Sequence, residues 1–198
     1  MNDFWDNRYS SEEFVYGTEP NEFFKLEIDK LPHGKLLTLA EGEGRNGIYA
    51  ASLGWDVTAV DFSPVAREKA LKLALEKNTK IEYTVGNLEN YQPPADYFDA
   101  VSMIFMHLNP GSSELVHKRA VGSLRTGGRI ILEVYAKEQL GKKSGGPQNA
   151  DMLYSIDEIA RNFSELKIIT LEKEVIYLNE SKHHSGEAVV IRFVGEKV

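Results

Sequence analysis

Between Leu36 and Asp61 the chain reads LLTLAEGEGRNGIYAASLGWDVTAVD. Within it Gly42-Glu43-Gly44-Arg45-Asn46-Gly47 spells G-x-G-x-x-G between a strand-like and a helix-like run. Glycines so placed let backbone approach a cofactor closely, and the bare string suggests a dinucleotide. Charge argues otherwise. Glu41 precedes the first glycine and Glu43 separates the first two. A pyrophosphate there would meet like charge, at a cost of about 1 kcal/mol or more per close pair. Dinucleotide sites instead use the dipole of a helix to attract the anion. Acid-flanked glycines suit a ligand without phosphate and with a positive centre, and S-adenosylmethionine has that description. Asp61, closing the second apolar run, can accept both hydroxyls of a ribose, a role shared by NAD and adenosylmethionine enzymes. The chain has no Tyr-x-x-x-Lys, the acid–base pair of short-chain dehydrogenases.

These residues need a scaffold that alternates strands with helices. Lys35–Ala40, Trp55–Val60, Ile81–Val85, Tyr97–Phe105 and Arg129–Tyr135 read as strands. Asn46–Leu53 reads as a helix stopped by Gly54. Ser63-Pro64 reads as a cap followed by a first-turn proline. The helix after it places Ala66, Ala70, Leu73 and Ala74 on one face. Ser112 opens another helix, which Gly127-Gly128 turns into the fifth strand, and a last helix spans about Ser155–Phe163. LKIITLEKEVIYL and AVVIRFVG, joined by the polar NESKHHSGE, read as an antiparallel hairpin. The expected fold is α/β: a Rossmann-like, doubly wound, seven-stranded and mostly parallel sheet ending in that hairpin. Lys137–Leu153 reads as a structureless insertion in the position of a lid.

The 198 residues, 42% hydrophobic, suit one domain over 1–198. A net charge of −7 disfavours nucleic acid, since Lys142-Lys143 and the scattered Arg119, Arg125 and Arg129 form no basic stripe. The absence of cysteine excludes disulfides and thiolate chemistry. No apolar run reaches the roughly 20 residues of a membrane span, and the first residues lack a signal-peptide pattern. A cytoplasmic monomer or homodimer without membrane partners is expected. No metal-ligand spacing appears among the five histidines, of which His33 and His117 read as surface residues.

Glu41-Gly42-Glu43-Gly44, Asp61, Leu124-Arg-Thr-Gly-Gly128 and the terminal hairpin together resemble the class I adenosylmethionine-dependent methyltransferases. WDNRYSSEEFVYGTEPNEFF and LNESKHHSG further resemble the tellurite-resistance (TehB-like) and thiopurine-methyltransferase-like branch. The resemblance implies in-line methyl transfer to a small molecule such as a chalcogen oxyanion or a thiol. It implies that Glu41, Gly42 and Gly44 line the methionine moiety, with the Glu41 carboxylate on the α-ammonium. Asp61 would hold the ribose, with Phe62, Ser63, Asn87 and Leu88 near the adenine. Met103 and Phe105 would border the sulfonium. Residues 1–34 become a helical arm or lid, whose Arg8, Tyr9 and Tyr16 reach the cofactor. Arg8 has an alternative as a surface partner of Asp3 or Glu12. His107 and, on the hairpin turn, His183 and His184 face the pocket mouth, and His107 and His184 are the candidate bases. Two further readings are an NAD(P)-dependent oxidoreductase and a non-catalytic adenosylmethionine-binding module. Gly47 reads as an incidental small residue in the first helical turn.

Overall fold

Strands that read as unbroken apolar runs need helices on both faces. The computed structural model, which describes residues 2–181 and 184–198, supplies them. The elements are α1 (Asn2–Tyr9), α2 (Glu22–Ile28), β1 (Lys35–Leu39), α3 (Arg45–Leu53), β2 (Asp56–Asp61), α4 (Pro64–Glu76) and β3 (Glu82–Val85). They continue with β4 (Phe98–Ile104), α5 (Pro110–Ser123), β5 (Leu124–Tyr135), α6 (Ile156–Asn162), β6 (Lys167–Ser181) and β7 (His184–Glu196). The seven strands form one sheet in the order β3-β2-β1-β4-β5-β7-β6. β1 to β5 are parallel, and β7 runs antiparallel to β5 and β6. This is the Rossmann-like, mostly parallel sheet with a terminal hairpin. Strand order reverses between β1 and β4, and sheets of this kind bind ligands in the crevice at that switch point.

Local chemistry sets the elements around the crevice. Ser63 Oγ accepts from Ala66 N at 3.1 Å, and Pro64 supplies the first helical position, so α4 starts where β2 has barely ended. Its buried residues are Ala66, Ala70, Leu73 and Ala74, the face marked by the sequence. Gly54, at φ 106°, takes the left-handed conformation that ends α3. α2 has seven residues and is too short to stand alone. It is held by Phe23, Phe24 and Ile28, which pack with Leu36, Trp55 and Ile131 on one face of the sheet. Each such side chain contributes about 1.5–3 kcal/mol. Leu37, Val101, Leu132, Phe163 and Phe193 belong to the core on the other face.

Four features differ from the sequence reading. β5 starts at Leu124: Phe98 pairs with Leu124 and Ala100 with Arg129, so the intervening residues bulge. Gly127 N and Gly128 O bond the backbone of Lys197 there. The polar NESKHHSGE is mostly strand, because Asn179 pairs with Ser185 and Ser181 with His184. His183 lies outside the described residues. Lys137–Leu153 is tied down: 3-10 turns span Lys137–Gln139 and Ala150–Met152, and the fully buried Gln139 accepts from Val189 N and donates to Ser144 Oγ. Finally, His117 is fully buried against Phe163 and Tyr154, and burial lowers its pKa to about 4. His33 is exposed, as read.

Candidate functional site

The carboxyl ends of β1 and β2 bring Glu41, the glycine loop and Asp61 together at the switch point. Asp61 is buried; its Oδ2 accepts from Gly42 N and its Oδ1 from Ser63 N, each at 3.0 Å. Burial raises its pKa against these hydrogen bonds. Glu41 is buried too, and its Oε1 accepts from Gly47 N at 2.7 Å. Gly47 is therefore not incidental. A Cβ there would sit 3.2 Å from Glu41 Oε1 and from Val57 Cγ1. Beneath the loop, Tyr83 Oη donates to Gly42 O at 2.7 Å.

Burial is the dominant cause that pushes Glu41 up to about 7 from 4.5. The folded state thus holds a proton that the unfolded chain has released. The Glu41 contribution to stability must fall as pH rises from about 4.5 to about 7, by at most about 1.4 kcal/mol per pH unit. Denaturant titrations should show Glu41→Gln gaining stability relative to the parent across that window. A stability difference that stays flat with pH would contradict the shift.

Glu43, which the sequence reading counted beside Glu41, is spent on the N-terminal arm. Its Oε2 accepts from Val15 N at 2.8 Å and Tyr16 N at 3.4 Å, and it forms a buried ion pair with Lys69 on α4. Lys69 Nζ also donates to the carbonyls of Ser11 and Glu13 at 3.0 and 2.7 Å, with Tyr9 O at 3.4 Å. The next residues of the loop continue this. Arg45 donates to Tyr16 O at 3.3 Å and to Glu180 Oε2 at 3.1 Å, and Asn46 Oδ1 accepts from Asn21 N at 2.9 Å. The arm consequently lies on the site: Tyr9 Oη packs against Gly42, and Asp6 accepts a hydrogen bond from Ser63 Oγ. Arg8 donates to Tyr16 Oη at 3.1 Å and lies over the Phe4 and Trp5 rings; the Asp3 side chain, one of its two proposed partners, lies outside the described residues.

Opposite the arm stands the hairpin. Glu180 Oε2 meets His184 Nδ1 at 2.9 Å, and the partnership with His184 and Arg45 lowers the Glu180 pKa to about 2 against the effect of burial. Asn21 Nδ2 donates to Glu180 at 3.3 Å and to the fully buried Glu133 at 2.7 Å; Arg192 Nε reaches Glu133 at 2.6 Å. His184 packs against Tyr16 and Phe105, with ring centroids 4.5 and 4.8 Å apart. An open cleft of about 530 Å³ separates arm and hairpin, bordered by Arg8, Phe14, Val15, Glu180 and Ser181.

The remaining sequence candidates divide by burial and by partner. Phe62 is half-buried, and Ser63 caps α4. Asn87 is exposed with its Oδ1 accepting from Glu89 N at 2.9 Å, while Leu88 and Met103 are buried in the sheet core. Phe105 is half-buried at φ 52° and stacks on Tyr135. His107 is bracketed by backbone. Its Nδ1 meets Met152 O at 2.8 Å and its Nε2 accepts from Tyr135 N at 3.2 Å, which fixes a neutral tautomer; burial lowers its pKa to about 4. That geometry leaves His107 no nitrogen for a substrate proton. Sequence reasoning found Tyr9 but missed Asn21, Arg45, Asn46, Lys69, Glu133 and Glu180. The available signal was Arg45-Asn46, a polar pair in the first turn of a helix that is otherwise small and apolar. Among the described residues no group of three or more His, Asp and Glu could hold a metal. No helix among them is long and apolar enough to cross a membrane.

Residues 36–128 match the family model for the methyltransferase domain. A curated relative, Hemagglutinin 1 of Eikenella corrodens, is 23% identical over 161 residues. The match covers 81% of this chain and 52% of that protein, so the chain spans about half the length of this relative. Two solved structures align with all of this chain. One describes conversion of a disulfide bond into a thioacetal group during echinomycin biosynthesis (TM-score 0.81, 14% identity, 91% of that chain). The other is TehB from Haemophilus influenzae (TM-score 0.74, 16% identity, 67% of that chain). The matched domain holds the glycine loop and Asp61, and the whole sheet has the fold of these solved structures.

Proposed function

We propose that this site transfers the cofactor's methyl group to a small-molecule acceptor, with residues 1–34 serving as a lid over the cofactor. The observation that carries the reading is the pair of buried carboxylates, Glu41 and Asp61, at the switch point. Neither forms an ion pair among the described residues, and burial raises the pKa of both. Carboxyls in that condition suit a ligand that brings a positive group and hydroxyl donors. Bound there, the cofactor supplies an electrophilic methyl group on a sulfonium. Glu41 holds the α-ammonium, Gly42 and Gly44 give the flat wall, and Asp61 takes the ribose hydroxyls. Phe62 and the Asn87 amide flank the adenine side, and Phe105 the sulfonium side. Tyr16 and Arg8 close the arm over them. Aligning the acceptor and excluding water are the main tasks left to the protein, and a soft acceptor needs no base. Where a proton must leave, His184, oriented by Glu180, is the group in place.

The resemblance of the N-terminal and hairpin segments to the tellurite-resistance branch favours a chalcogen oxyanion or a thiol as acceptor. A thermal-shift and calorimetric comparison of adenosylmethionine with NAD, followed by mass spectrometry of products from a panel of small acceptors, tests the reading. Adenosylmethionine should raise the melting point strongly and NAD should not. Tight NAD binding without adenosylmethionine binding would sink it.

A further inference from the structure

Tyr135 is the last residue of β5, at the carboxyl end of an interior strand, and is 1% exposed. Its hydroxyl has no hydrogen-bond partner among the described residues. A buried polar group left unsatisfied is destabilising, and replacing tyrosine by phenylalanine would remove that cost. The ring has a fixed aim. Phe105 and His107 stack with it at centroid distances of 4.6 and 5.4 Å, and His184 meets it edge-on at 5.9 Å. His107 also accepts from the Tyr135 backbone N–H, which locks ring and strand together. Gly145 and Gly146 cover the hydroxyl side. A Cβ on Gly145 would fall 2.3 Å from Tyr135 Oη and 2.9 Å from His184 Cδ2. The cover is thus bare backbone, from the same segment that Gln139 and Ser144 tether to β7. Its displacement would uncover Tyr135 Oη and His184 together.

We propose that Tyr135 is a specificity-determining residue, its hydroxyl donating a hydrogen bond to an oxygen of the methyl acceptor. This rests on the methyltransferase reading of the site. It selects acceptors that carry an oxyanion, carboxylate or carbonyl oxygen beside the nucleophilic atom. Burial, with Glu180, Tyr16 and Glu133 nearby, pushes the phenol up, so it stays a proton donor at neutral pH. The two carboxylates do not repel an anionic acceptor strongly, because Arg192 and Asn21 compensate Glu133 and Arg45 and His184 compensate Glu180. In the transfer, the carbon–sulfur bond breaks with its electron pair left on sulfur. The acceptor's lone pair forms the new bond to the methyl carbon. Tyr135 keeps its proton throughout.

The test compares parent and Tyr135→Phe in melting temperature, adenosylmethionine titration and methyl transfer. The acceptors are selenite and 2-mercaptobenzoate, with 2-mercaptoethylamine as a thiol lacking such an oxygen. The expected variant melts at or above the parent temperature and binds adenosylmethionine within about twofold. Its transfer to the oxygen-bearing acceptors falls at least tenfold, mainly through KM, with the amine thiol unaffected or inactive in both proteins. Melting several degrees lower would mean the hydroxyl has a structural partner, and unchanged transfer would mean that it touches no acceptor. Either result overturns the proposal. So does a parent that binds adenosylmethionine but methylates neither oxygen-bearing acceptor. A parent that binds no adenosylmethionine overturns the cofactor reading itself, and this proposal with it.

Discussion

Lys69→Ala is expected to release the N-terminal arm and to lower stability by about 3 kcal/mol. Lys69 and Glu43 are a nearly buried pair, with side chains 14% and 3% exposed. Removing one partner of such a pair leaves the other charge in a poorly solvated place, the expensive way to break it. Glu43 retains the amides of Val15 and Tyr16, but the carbonyls of Tyr9, Ser11 and Glu13 lose their common donor. The stability loss should appear in urea titrations. The release should appear as early cleavage by limited proteolysis before Gly17, with the body of the domain left whole. Lys69→Arg keeps the charge and should recover much of the stability. If Lys69→Ala shows the parent cleavage pattern and midpoint, the clamp does not hold the arm.

Asp61→Ala should weaken adenosylmethionine binding by about 1–3 kcal/mol, roughly 5- to 150-fold, as charged hydrogen bonds to the ribose are lost. The structure adds a condition to this figure. Asp61 also accepts from Gly42 N and Ser63 N, so its removal loosens the loop and the start of α4 as well as a ligand contact. Asp61→Asn retains an oxygen for one of the two amides and sets an amide nitrogen against the other, so it keeps part of the loop's support while removing the charge. Calorimetry on both variants separates the two parts: affinity lost equally in both belongs to the charge, and an additional loss in alanine belongs to the loop. Affinity retained in both would remove Asp61 from the cofactor site.

Much of the fold was legible because its signals are local. The Ser63-Pro64 start, the apolar face of α4, the Gly54 stop and the alternation of strands with helices all depend on residues a few positions apart. The charge of the glycine loop was legible for a related reason: acids adjacent to glycines set it whatever the rest of the chain does. What each acid does was not legible. Glu41 and Glu43 are two residues apart and look equivalent in the sequence. Glu41 turns inward to Gly47 N, while Glu43 pairs with Lys69 and the arm. Likewise, the sequence shows Asn21, Arg45, Glu133 and Glu180 as ordinary polar residues far apart in the chain. Folding gathers them into one buried network that joins arm, glycine loop and hairpin. The sequence by itself determined a sheet with an acidic glycine loop, because periodicity and nearest-neighbour charge act over a few residues. Only the tertiary structure decided which charges meet and which buried hydroxyls, Tyr135 Oη among them, have no hydrogen-bond partner among the described residues, because those pairings follow from how distant segments pack and exclude water.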